Sequence, residues 1–112
     1  MDMDYNEVVK IYLHIVDTLL EKDRLDANRR LCICTGSGRH GNFRPTTFKA
    51  IASNYIDAKH YTEYMRIFRT FEWLICKPEK FTNVQKIDGR PIRVITVDLN
   101  KYKLMKELFN EG

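Results

Sequence analysis

The sequence predicts an α+β fold in a single domain spanning residues 1–112: a three-helix core, a β-hairpin and an additional C-terminal helix. Three observations predict it. Apolar residues near the start recur at helical spacing, two closely spaced helical patterns lie beyond Arg44, and two strand-like runs joined at Asp88-Gly89 come before a final helical stretch. At 112 residues with 44% hydrophobic residues, the chain is long enough for one core and too short for two.

The first helix reads from Tyr5 to Glu21. Val8, Ile11, Tyr12, Ile15, Val16 and Leu19 fall three and four residues apart and so share one face, while Asp17 and Glu21 fall elsewhere. His14 borders that face with no second ligand near it and reads as a structural or surface histidine. The charged stretch Glu21 to Arg30 reads as a connection.

Leu31-Cys-Ile-Cys-Thr is a short β-like run with Cys32 and Cys34 on one side. The following Gly36-Ser-Gly-Arg-His-Gly41 matches G-x-G-x-x-G literally. A dinucleotide site would need the third glycine inside a helix and a second parallel strand ending in an acid, whereas Pro45 places the next helix later and residues 58–64 are helical in pattern. The stretch therefore reads as a loop, and no cofactor is expected. Its Arg39 and His40, together with Arg44, are suited to touch a phosphate backbone.

Pro45 suits a first helical turn, and Phe48, Ile51, Ala52 and Tyr55 mark the buried face of a helix ending near Asn54 or Tyr55. Asp57 is the expected N-cap of the next helix, read over 58–74. There Tyr61, Tyr64, Met65, Phe68 and Phe71 form an apolar stripe. The complementary face carries Lys59, Thr62, Glu63, Arg66, Arg69 and Thr70, with His60 at the start.

Pro78 breaks the helical pattern, and the hairpin is read over 82–98, with Asp88-Gly89 as a two-residue turn and a β-branched second strand. Lys86, Arg90 and Arg93 surround that turn. Asn100 is the expected cap of a last helix in which Leu104, Met105, Leu108 and Phe109 line one side. That stripe either closes the core or pairs with a second subunit.

Charge is segregated along the chain. Residues 1–28 net −4, which leaves +8 on the remainder of a chain whose overall charge is +4. Such an asymmetry suits a polyanionic partner. Three cysteines in a chain of this size argue for free thiols, with a bridge from Cys76 to Cys32 or Cys34 as the alternative. No apolar run reaches the roughly 20 residues that span a bilayer, and Met1-Asp-Met-Asp has the wrong charge for a signal peptide, so an intracellular, cytoplasmic protein without a membrane partner is expected. No catalytic or metal constellation stands out: the serines lack a nucleophile-elbow setting, and Cys-x-Cys with one distant cysteine does not supply tetrahedral zinc ligands. An enzyme is not expected.

In element order, helix, short turn, helix and hairpin, the chain resembles the winged-helix superfamily, the winged helix-turn-helix. Its compact, aromatic and lysine-rich character is similar to small winged-helix proteins of archaea and their viruses. The resemblance implies a three-helix core with a hairpin wing, the 58–74 helix as recognition helix and a role in transcriptional control or DNA organisation. The expected partner is double-stranded DNA, met in the major groove by Lys59, His60, Thr62, Arg66 and Arg69 and over its backbone by Lys86, Arg90 and Arg93, with Arg39, His40 and Arg44 as further contacts. A homodimer through the N- or C-terminal helix is compatible with this. The alternative is a protein-interaction winged helix in a transcription or replication assembly, using surface aromatics such as Trp73 and Tyr102.

Overall fold

The computed structural model describes residues 4–26 and 30–109. The reading of Met1-Asp-Met and the Ala27–Arg29 part of the first connection lie outside the described residues. The elements run α1 (Tyr5–Leu25), β1 (Ile33–Thr35), β2 (His40–Phe43), α2 (Pro45–Ala52), a 3-10 turn (Ala58–His60), α3 (Tyr61–Thr70), β3 (Asn83–Ile87), β4 (Arg90–Asp98) and α4 (Leu99–Phe109). The fold is α+β, with a four-stranded antiparallel sheet of order β1-β2-β4-β3.

Helix α1 begins where the Asp4 carboxylate accepts from the Asn6 N–H at 3.0 Å, and it runs one turn past the expected Glu21. It forms the axis of the core. Val8, Val9, Tyr12, Leu13, Ile15, Val16 and Leu19 are all buried, against both α2 and α4. Over it lies a nest of rings: Tyr12 meets Phe68 at 5.0 Å and Trp73 at 4.9 Å, and Trp73 stacks on Phe71 at 5.1 Å. Offset and edge contacts of this kind add to the burial of the rings themselves.

The glycine-rich stretch is the turn of a β1–β2 hairpin rather than an open loop. Gly36, Ser37 and Gly38 all take positive φ, at 61°, 59° and 85°, and Arg39 N–H closes on Gly36 O at 3.2 Å. Gly41 lies in β2, where an added Cβ would stand 3.1 Å from Cys32 Sγ and 3.3 Å from the Leu99 methyls. The glycine admits close packing of strand on side chain. The literal dinucleotide motif is therefore a coincidence of turn and packing glycines.

Pro45 occupies the first turn of α2, as its fixed φ favours, but the helix ends at Ala52, earlier than Asn54. The expected 58–74 helix is shorter too. It opens as a 3-10 turn whose preceding residue, Asp57, makes no side-chain cap bond, and it stops at Thr70. The stop is a Schellman motif: Glu72 at φ 59° sends its N–H to Arg69 O at 2.9 Å, Trp73 N–H reaches Phe68 O at 2.9 Å, and the Phe68 and Trp73 rings meet at 5.9 Å. Phe71–Leu74 is thus not helical.

Asp88 and Gly89, at φ 53° and 79°, form the type I′ turn that the twist of a hairpin favours. β4 continues far beyond the hairpin, and its inner half pairs with β2, placing Phe43 opposite Ile95 and Asn42 opposite Thr96. The hairpin is thus one edge of a larger sheet. A chain of side-chain hydrogen bonds crosses all four strands. Gln85 donates to Asn83 at 2.8 Å, Asn83 to Thr96 at 2.7 Å, Thr96 to Asn42 at 2.6 Å, and Asn42 to Thr35 at 3.0 Å and to Ile33 O at 2.7 Å.

At α4 the cap is Asp98, whose carboxylate accepts from Lys101 N–H at 3.0 Å; Asn100 already lies in the helix. Leu99, Tyr102 and Met105 are buried, while Leu104 and Leu108 face outward, 56% and 68% exposed. The expected single stripe is split between core and surface. No described helix is long and apolar enough to cross a membrane.

Candidate nucleic-acid interface

The exposed side of α3 follows from the side that is buried. Met65 and Phe68 enter the core with Tyr61, Tyr64 and Ile67 partly covered, so a 3.6-residue repeat leaves Thr62, Glu63, Arg66 and Thr70 facing outward, and Lys59 of the preceding 3-10 turn is exposed as well. Arg69 lies at the margin of this face. Among the described residues, Lys59 and Arg66 make no ion pair with a carboxylate. Their charge stays available.

His60, at the start of α3, is half-buried. Its Nδ1 atom is buried without a hydrogen-bond partner and faces Glu63 Oε2 at 3.7 Å, so the 3-10 turn draws that edge of the ring inward. Lys49 of α2 stands 5.4 Å over the Tyr61 ring and adds a cation at this end of α3.

At the other end, α3 meets the hairpin through the connecting loop. Arg69 Nη1 donates to Lys80 O at 3.3 Å with its guanidinium 4.7 Å over Phe81, and Arg93 Nη1 donates to Thr82 Oγ1 at 2.9 Å. Arg69 and Arg93 therefore both hold residues of the 80–82 segment. Arg93 pairs across the ladder with Val84, which puts Lys86 diagonally beside it on the same sheet face. Arg90 adjoins the turn with the opposite parity.

The remaining expected contacts fall elsewhere. His40 pairs with Asp98 at the far end of β4, about 26 Å of strand from Arg90 by the rise of a β-strand, and the neighbouring Arg39 bonds the carbonyl of Gly36 through its own side chain. Arg44, ahead of α2, lines a separate cavity of about 650 Å³ with Arg30, Thr46 and Thr47. Arg39, His40 and Arg44 thus do not join the α3–hairpin surface. Lys77 and Lys80, absent from the sequence reading, do border it. Their signal was present in Lys-Pro-Glu-Lys, where the proline drew attention as a helix breaker.

The acids of the first segment are largely engaged within the fold. Asp17 accepts from the Tyr102 hydroxyl and from Lys106 Nζ at 2.7 Å, Glu21 pairs with Arg24 at 2.6 Å, and Asp23 accepts from the Leu31 and Cys32 N–H groups at 2.7 and 2.9 Å. The hydrogen bond from Arg24 holds the Glu21 carboxyl below its usual range.

The cysteines are free thiols. Burial, with Cys34 beside it, pushes the Cys32 thiol up to about 12, whereas Cys34 is exposed. Among the described residues no group of three or more His, Cys, Asp or Glu side chains could hold a metal ion. Trp73 and Tyr102, expected as surface aromatics, are only 5% and 6% exposed, because Trp73 caps the ring cluster and Tyr102 faces α1.

No family model matches this chain. A search of curated proteins likewise finds no match.

Proposed function

We propose that the protein binds double-stranded DNA as a winged-helix transcriptional regulator, with the exposed face of α3 in the major groove and the β3–β4 hairpin as its wing. The observation that carries this reading is the adjacency of two basic elements: the 3-10 turn and α3 present Lys59 and Arg66 free of carboxylate partners, and the last arginine of α3 shares a loop with Arg93 of the hairpin. Arginine on such a face can pair with guanine edges, and lysine and threonine can hold phosphates. The order of α2, a connection of residues 53–60 that includes the 3-10 turn, α3 and a hairpin is compatible with the same assignment. Asp4, Asp17, Glu21 and Asp23 of the N-terminal segment have partners of their own, and on the α3 face Glu63 stands among the cations.

The test is fluorescence anisotropy of a labelled random duplex at two salt concentrations. Binding that weakens steeply with salt is expected. No binding at low salt would reject the reading and favour a second one, a protein-interaction module. That reading draws on outward-facing Leu104 and Leu108 and on Tyr5, Phe71 and Phe109, whose rings meet at 5.4 and 6.4 Å around Tyr5.

A further inference from the structure

Between the α3–β3 loop and β4 lies a cleft of about 310 Å³ lined by Lys77, Lys80, Thr82, Asn83, Val84 and Arg93. Three cations share this concavity, and no carboxylate lines it. Among the described residues none of the three forms an ion pair.

The arrangement is held in place by its surroundings. Lys80 N–H bonds Lys77 O at 3.0 Å, a turn that brings both lysines to one rim, and Arg69 fixes the turn by its bond to Lys80 O and its contact with the Phe81 ring. Asn83 is committed inward to Ile75 O and Thr96, both at 2.7 Å, which anchors the floor of the cleft to the sheet. Like charges gathered without a counterion raise the energy of the free protein, and an anion entering the cleft relieves that repulsion.

The donor set indicates which anion. A planar carboxylate is best matched by a free guanidinium fork, but part of the Arg93 fork is already engaged with Thr82 Oγ1. Two rotatable ammonium groups and one guanidinium edge around a single concavity suit a tetrahedral group with oxygens on several sides. We propose that this cleft holds a phosphate of a nucleic-acid backbone; the inference rests on the nucleic-acid reading above and extends it by naming Lys77 and Lys80 as the anchors. Such a contact fixes the register of α3 on its target and adds affinity without reading bases.

Two measurements on the full chain test it. In the first, amide shifts of labelled protein are followed during titration with tetrathymidylate, whose phosphates require no duplex. Shifts over residues 77–83, abolished in the Lys77→Gln/Lys80→Gln variant, are expected. In the second, duplex affinity is measured against salt, and the slope of log K on log salt is expected to fall by about 1.8 in that variant, equally for different sequences. Loop shifts without duplex binding would retain the phosphate cleft and remove the double-stranded reading. Duplex binding with an unchanged slope and silent loop amides would overturn the cleft and leave the duplex reading standing. Silence of the loop toward both probes would overturn the cleft as well.

Discussion

Glu72 shows how one residue can hide a helix end. It takes the left-handed conformation at the close of α3 where a glycine would ordinarily mark the stop, so the sequence offered no signal and the helical pattern ran on to Leu74. A side chain in that region costs about 1–2 kcal/mol, offset in part by the roughly 0.5–1 kcal/mol of extra chain freedom that glycine loses on folding. Its exposed contact with Lys101, at 3.5 Å, contributes little. Glu72→Gly is therefore expected to stabilise the protein by about 0.5–1 kcal/mol in urea denaturation, and a loss of stability would refute the strain argument. The cysteines make a second residue-scale case. Alternation along the β-like run correctly put Cys32 and Cys34 on one side, but not which of them the core would cover. With Cys32 buried and its thiol pushed up to about 12, and Cys34 exposed, Ellman's reagent near pH 8 should modify Cys34 rapidly and reach Cys32 only on unfolding. Equal rates would contradict the placement of Cys32.

Among the elements, what could be read from sequence was what local chemistry decides. Pro45 opens α2 and Asp88-Gly89 turns the hairpin, each through interactions spanning a few residues, and the local 3.6-residue spacing marks Met65 and Phe68 as one face, which the core then covers. The β2–β4 ladder was not legible, because Asn42 and Thr96 are 54 residues apart and three of the four residues of β2 are small or polar and look like loop. That ladder carries a buried network which makes its own prediction. Asn42→Ala strands the buried Thr96 hydroxyl away from water, and a loss of about 1–3 kcal/mol is expected in thermal or urea unfolding. A loss below a few tenths would mean the network is dispensable. For α3, the exposed positions were legible from periodicity, but the convergence of Arg69 with Arg93 was not, since it depends on the path of residues 71–82. Lys59→Glu/Arg66→Glu is expected to abolish duplex binding with the fold intact, as neither side chain has a partner to lose. Retained affinity with an unchanged circular dichroism spectrum would remove α3 from the interface.

At the scale of the whole molecule, the charge segregation seen along the chain becomes a division of labour: acids of α1 fasten the fold, and cations of the later elements stay outward. The junction of α1 and α4 shows the fastening most directly, with Asp17 accepting from both Tyr102 and Lys106. Burial first, and then the hydrogen bond and charge of Asp17, push the Tyr102 hydroxyl up to about 12, while Lys106 opposes the shift. Lys106 is itself raised, chiefly by its hydrogen bond to Asp17, and burial pushes Tyr61 to about 12 as well. In each case the native protein keeps a proton that the unfolded chain releases nearer pH 10. Between pH 10 and 12 the unfolded state therefore binds fewer protons, and stability falls as pH rises; below pH 10 the contribution is fully present. Urea midpoints should accordingly hold steady from pH 7 to 8, begin to decline near pH 9 as the unfolded Cys32 thiol ionises, and fall more steeply above 10. Tyr102→Phe removes one retained proton, so its decline should be shallower in that window, whatever its stability at pH 8. The same slope in both proteins would show that the α1–α4 junction does not hold the tyrosine proton, and the alkaline transition would then belong to Cys32, Tyr61 and the more deeply buried Tyr12.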